Sequence, residues 1–324
     1  MLYLARSYLC ILCAAFVMLV SACGEQQSAT PVQTPEHTSA ATGKIQVLAT
    51  FSILADIARE IGGERVQIES LVAANQDAHV FAPTPQDVKK ITQASVLISN
   101  GLGYEGWLAR LEQATEFKGK IIVATDGIQA LPKPNHGEMG HEHDHDHEGQ
   151  FDPHAWHDPT IVQTIYVRNI VAGLSQADPA GADYYQKRGQ AYSAQIAQLT
   201  ANIQKEVANI PPEQRKVVTS HDAFNYFAHA FGITFLAPQG VSTESESSAK
   251  AIAQLSAQIK NEHIKALFFE NISNPKMMQQ LTQETGVKIG GKLYSDALSN
   301  ADEPAPTYLK MMAYNANTLV DGMK

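Results

Sequence analysis

The 324 residues carry 24 Lys and Arg against 33 Asp and Glu, a formal net charge of −9. So acidic a balance argues against nucleic acid as a partner and suits a cation ligand. With 44% hydrophobic and 18% charged residues the composition is that of a globular protein. Its length exceeds what one core usually holds, so two lobes are expected.

The chain opens with Arg6 and an apolar stretch over 8–20, too short to span a bilayer as a helix. It runs into Val20-Ser21-Ala22-Cys23, which resembles the lipobox of bacterial lipoproteins. That resemblance implies a signal peptide over 1–22, removed in the mature protein, and a lipid on Cys23. An ordinary signal peptide that happens to contain a cysteine is the alternative. Cys10 and Cys13 fall inside the leader, so the mature chain holds no disulfide and must rely on its core. Residues 23–44 are rich in Gln, Ser, Thr, Pro and Ala without apolar periodicity, which predicts a flexible tether with His37 solvated in it.

From Ile45 onward strand-like and helix-like segments alternate. Strands are expected over 45–50, 66–72, 96–99 and 121–124, with helices over 53–61 and 107–114. Thr84-Pro85-Gln86-Asp87 marks another helix start: a hydroxyl at the N-cap, Pro where no amide donor is missed, and an acid at the positive end. Between Asn135 and Gly149, five histidines (His136, His141, His143, His145, His147) are interspersed with five carboxylates. Imidazole is the commonest protein ligand for zinc and its neighbours, so the run points to metal. Its alternation fixes no geometry. It suits weak, multiple metal capture, or it is an inert polar loop.

Pro159 begins a helix through Leu174, and a long helix over 178–209 follows. There Tyr185, Tyr192, Ile196, Leu199, Ile203 and Val207 recur at helical spacing until Pro211-Pro212. About 30 helical residues span about 45 Å, enough to cross two lobes. The alternation then resumes with strands over 216–219, 233–236, 266–269 and 287–293. Helices are expected over 223–231, 250–261 and 275–286, with a last one from Pro306. This order predicts an α/β protein of two lobes, 45–177 and 210–324, each a mainly parallel sheet flanked by helices.

Open α/β sheets bind ligands beyond the carboxyl ends of their strands. The metal-capable residues at those places are His79, His154, His221 and Asp296, two before the long helix and two after it. Singly, each has an ordinary explanation: a lone His is usually solvated or hydrogen-bonded, and a lone Asp after a strand is usually a helix cap. Together, three imidazoles and a carboxylate can make a tetrahedral zinc site. Asp222 and Glu270 are candidate acceptors for the ligands' second nitrogens, but the expected reading of each is an ordinary surface carboxylate. His157 is a possible auxiliary ligand. His229 is read as a satisfied, half-buried side chain and His263 as solvated.

Four stretches carry a resemblance to a known family. They are Asp77-Ala78-His79 with Pro83-Thr84-Pro85, Asp152-Pro153-His154-Ala155-Trp156, His221-Asp222-Ala223-Phe224-Asn225-Tyr226-Phe227, and Gly290-Gly291-Lys292-Leu293-Tyr294-Ser295-Asp296-Ala297-Leu298. From about Lys44 to the C-terminus the chain resembles the cluster A-I metal receptors of bacterial ABC importers for zinc and manganese. The resemblance implies two α/β lobes joined by one rigid helix, with metal between them on His79, His154, His221 and Asp296. It is closest to the zinc branch, because manganese members carry a glutamate where His221 stands and zinc members often carry a His-rich insertion. Ala82 departs from the acidic residue common there. A nitrogen-rich, low-coordinate site also favours Zn over Mn on chemical grounds.

The expected function is a lipoprotein outside the cytoplasmic membrane that captures Zn2+ as cargo. It would deliver the metal to a membrane permease driven by a cytoplasmic ATPase, acting as a monomer and not as an enzyme. The alternatives are a manganese receptor of the same family, a secreted zinc hydrolase and a passive zinc buffer. No His-Glu-x-x-His pattern supports the hydrolase.

Overall fold

The computed structural model describes residues 43–134, 150–245 and 247–324. The leader, the tether up to Thr42 with Cys23, and the His-rich run with His136, His141, His143, His145 and His147 lie outside the described residues. No helix among the described residues is long and apolar enough to cross a membrane.

The N-terminal lobe is built on β1 (Ile45–Phe51), β2 (Val66–Val72), β3 (Val96–Ser99) and β4 (Lys120–Val123). All pair in parallel, in the order β2-β1-β3-β4. The apolar runs of β1 and β3 are buried because helices cover both faces of the sheet. Helix α1 (Ser52–Gly62) contributes Ile53, Leu54, Ile57 and Ile61 to the core. Helix α2 (Pro85–Gln93) starts as its sequence implies: Asp87 accepts from the Thr84 backbone N–H at 2.9 Å and from its hydroxyl at 2.7 Å, and Pro85 opens the first turn. Helix α3 (Leu108–Thr115) precedes β4.

The chain returns at Asp152 and enters a helical stretch. It comprises the short α4 (Pro159–Ile161), a π-helical turn over Val162–Tyr166, and α5 (Val167–Ala177). The long α6 (Ala182–Ala208) follows a single 3-10 turn at Pro179–Gly181. That turn is where the periodic stretch read as one helix from 178 in fact begins, because Pro179 lacks the amide to continue a regular ladder.

The C-terminal lobe repeats the plan with β5 (Lys216–Val218), α7 (Asn225–Phe231), β6 (Thr234–Leu236), α8 (Ala249–Asn261), β7 (Ala266–Glu270), α9 (Lys276–Thr285), β8 (Lys288–Leu293) and α10 (Tyr308–Met323). Its sheet is parallel in the order β6-β5-β7-β8. Two parallel α/β lobes linked by a long helix are therefore present, as expected.

The lobes do not have separate cores. One hydrophobic cluster runs from Val47 on β1 to Met323 on α10, and only a small satellite around Leu255, Leu267 and Leu281 stands apart. Trp156 sits at the junction. It packs on Phe51, donates through Nε1 to the Ser295 carbonyl and accepts from the Tyr308 hydroxyl, both at 2.9 Å.

A second junction lies at Asp56 of α1, whose carboxylate accepts from the Tyr308 N–H at 2.8 Å at the start of α10. Burial pushes Asp56 up to about 6 from an ordinary 3.8, against the lowering by that hydrogen bond and by Arg59. Because the folded value is raised, the native state holds its proton more tightly than the unfolded chain, and stability falls as pH rises from about 4 to 6. Asp56→Asn keeps the acceptor and removes the charge. We expect it to gain on the order of 2 kcal/mol at pH 7 and to flatten that part of the profile. Denaturant unfolding at pH 4.5 and 7 checks this, and a variant less stable than the parent at pH 7 would refute it.

Candidate metal centre

Four segments converge where the carboxyl ends of the two sheets face each other. His79 lies beyond β2, on a loop held by the Trp107 indole, which donates to the Ala78 carbonyl at 2.9 Å. His154 opens a 3-10 turn, Ala155–His157, placed by the Asn100 side chain, which donates to the Pro153 carbonyl at 2.9 Å. His221 follows β5, and Asp296 follows β8.

All four side chains are buried: His154, His221 and Asp296 completely, His79 at 7% exposure. One ligand atom from each lies within 4.8 Å of all the others. His79 Nε2 is 3.3 Å from His154 Nε2 and 3.3 Å from Asp296 Oδ2. His221 Nε2 is also 3.3 Å from Oδ2, and His154 Nε2 is 3.6 Å from Oδ1. A tetrahedron with zinc–ligand bonds of about 2.0–2.1 Å has edges of about 3.3–3.4 Å. Asp296 Oδ1 and Oδ2 and His221 Nε2 are buried with no hydrogen-bond partner among the described residues. Buried polar atoms rarely go without one, and a cation at the centre would satisfy all three. The donor set fits a divalent metal.

Two further carboxylates hold the imidazoles from behind. Asp152 Oδ1 lies 2.8 Å from His154 Nδ1 and also accepts the His154 backbone N–H at 2.9 Å. Glu270, at the end of β7, stands 2.5 Å from His221 Nδ1 through Oε2. Through Oε1 it accepts the N–H groups of Ser220 and His221. Each carboxylate fixes its ring so that Nε2 faces the centre. Glu270 is 1% exposed, so the reading of it as a surface carboxylate was wrong. Asp222 is buried as well. Asp152 had not been singled out as a support. Its signal was the Asp two residues before the ligand, a spacing that lets one carboxylate reach both the backbone and the ring of His154.

The charges are tightly coupled. Burial opposes a protonated imidazole, yet Asp296 and Asp152 lift His154 to about 9. Burial likewise opposes a charge on His221, but Glu270 and Asp296 raise it well above its ordinary value. Burial would raise Asp296, and His221 and His154 instead hold it well below the usual carboxylate range. The carboxylates thus bias His154 and His221 toward their protonated forms.

The remaining histidines are placed elsewhere. His157 is fully buried against the Phe224 ring, 4.6 Å between centroids, and stands outside the four-residue group. His229 is exposed, not half-buried, because residues 221–224 are not helical and its phase could not be counted from His221. His263 is exposed. A cleft of about 820 Å³ leads outward from His79, between Phe81 and Trp107 on one lobe and Val241 on the other.

A family model described as the periplasmic component A of zinc-uptake complexes matches residues 47–322. The metal ABC transporter substrate-binding lipoprotein SloC of Streptococcus mutans is 32% identical over 286 residues, 86% of this chain and 90% of the relative. The periplasmic zinc binding protein TroA from Treponema pallidum superposes with a TM-score of 0.79 at 29% identity, over 87% of this chain and 99% of its own. A Mn-bound periplasmic metal binding protein from Candidatus Liberibacter asiaticus does so with a TM-score of 0.76 at 30% identity, over 87% of this chain and all of its own. With the fold and motifs in agreement, this chain belongs to the zinc-uptake component A family, the substrate-binding proteins of metal ABC transporters.

Proposed function

We propose that the protein captures Zn2+ between its lobes on His79, His154, His221 and Asp296 and carries it to the permease of an ABC importer with its cytoplasmic ATPase. The observation that carries this reading is the donor set: three imidazole nitrogens and one carboxylate within 4.8 Å of one another, two of the imidazoles backed by buried carboxylates. Nitrogen-rich four-coordination suits zinc, whereas manganese prefers more oxygen ligands and a higher coordination number. The manganese reading draws on the Mn-bound relative. Competition on the apo protein separates the two. Zinc should win by at least about a hundredfold, and equal affinities would remove the zinc assignment.

The metal is cargo, and the protein is a carrier without turnover. A hydrolase would keep one coordination position for water, and four converging side chains close the site. Hydrolysis by the zinc-loaded protein would overturn this. Lipidation at Cys23 would hold the monomeric receptor outside the cytoplasmic membrane on a tether ending near Lys44, with no role for nucleic acid.

The His-rich run would add weak sites on His136, His141, His143, His145 and His147. Its attachment points, Lys133 and Gln150, are joined by a backbone hydrogen bond of 3.3 Å beside the cleft. Deleting residues 136–148 should therefore leave one tight zinc site and lower the total stoichiometry in calorimetry. Loss of the tight site would favour a passive buffer whose capacity lies in the run.

A further inference from the structure

The segment between β6 and α8 crosses from one lobe to the other at the mouth of the cleft. At its base it is anchored beside a proposed ligand of the C-terminal lobe: Gln239 bridges to His221, and the Gly240 carbonyl accepts the Asp222 N–H at 3.3 Å. The turn is closed internally by the Gln239 side chain, which donates to the Ser245 carbonyl at 2.6 Å. At its tip, the Thr243 hydroxyl donates to Asp77 Oδ2 at 2.6 Å, 166 positions away on the N-terminal lobe. The other oxygen of the same carboxylate accepts the backbone N–H of His79 at 2.9 Å.

A continuous chain of contacts thus runs from His221 through the strap and Asp77 to His79, and so from a ligand on one lobe to a ligand on the other. Val241 and Ser242 of the strap line the cleft, and of the four converging side chains His79 is the least enclosed. The cleft between these two edges is the opening that reaches His79. We propose that the Thr243–Asp77 hydrogen bond is a latch that sets how long the metal stays bound, with Thr243 and Asp77 as positioning residues that do not touch the metal. The bond can form only when strap and His79 loop are together. It therefore slows the passage of the ion through that gap. This inference rests on the zinc-binding reading above.

Thr243→Val removes the hydroxyl at nearly constant volume, and Thr243→Ser restores it. A hydrogen bond to a carboxylate at a half-exposed position is worth about a tenfold change in equilibrium. Zinc-loaded full-length protein mixed with excess chelator in a stopped-flow instrument should release zinc about tenfold faster in Thr243→Val. Stoichiometry should be unchanged, with a parental release rate in Thr243→Ser. Release from Thr243→Val at the parental rate overturns the latch. So does equally fast release from Thr243→Ser, because the hydroxyl would then not be the cause. A parent protein that binds no zinc would instead overturn the functional reading itself.

Discussion

His221→Ala should weaken zinc binding by about 10²–10³-fold while the protein stays folded. Structural zinc sites of four ligands are worth about 10–16 kcal/mol, so one ligand accounts for about 3 kcal/mol. The fold survives because Glu270 keeps part of its anchorage: the backbone N–H groups of residues 220 and 221 still donate to Oε1. Oε2, which faces His221 Nδ1, loses its partner inside the protein. Breaking a buried pair in this way is costly, so the apo variant should also lose about 3 kcal/mol of folding stability. Glu270→Gln on the parental background separates the effects, keeping His221 as a ligand while removing the charge that orients it; losing a carboxylate that holds a metal-binding imidazole typically costs about 10–100-fold in affinity. Calorimetry and denaturant unfolding read both quantities. Unchanged zinc affinity in His221→Ala would remove this residue from the site.

Proton release is the second large effect. In the metal-free cluster His154 is lifted to about 9 and His221 well above 6.5, so both imidazoles are protonated at neutral pH. Zinc binds only neutral imidazole and must displace those protons. About two protons should leave per zinc at pH 7, and affinity should rise by up to about a hundredfold per pH unit until the pH reaches the raised values. The sign is fixed: binding is weakest at low pH and gains strength as the pH rises toward the raised values. Two positive charges leave as one divalent cation arrives, so the buried cluster exchanges ions without changing its net charge. Titration in buffers of different ionisation enthalpy counts the protons. An affinity that is flat from pH 5.5 to 8 would be incompatible with this site.

Much of this candidate centre could be read from the chain because His79, His221 and Asp296 lie soon after strands, on the side where parallel sheets bind ligands. Strand ends can be located from apolar runs such as Val96–Ser99 and Ala266–Glu270, and helix starts from caps such as Thr84 with Pro85. The supporting carboxylates were harder. Glu270 closes the run Ala-Leu-Phe-Phe-Glu, and the sheet order puts its strand between those leading to His221 and Asp296. Strand order is a tertiary property that hydrophobic period does not encode. His157 and His229 show the same limit from the other side. Their burial depends on Phe224 and on where α7 begins, neither of which follows from spacing alone. The union of the two cores was also hidden, since periodicity gives the apolar face of a helix but not the lobe that face will meet.

The core that passes unbroken from Val47 to Met323 gives this receptor a stiff mechanical character. Swinging the lobes apart would bring Trp156 and Tyr308 into water, and each such aromatic buries about 150–250 Å². At about 25 cal/mol per Å² the pair alone would cost on the order of 10 kcal/mol, which holds a fully parted state to about one molecule in 10⁷. A vice that cannot open its jaws must loosen at the lip. Cargo transfer would then depend on slack in a few peripheral residues.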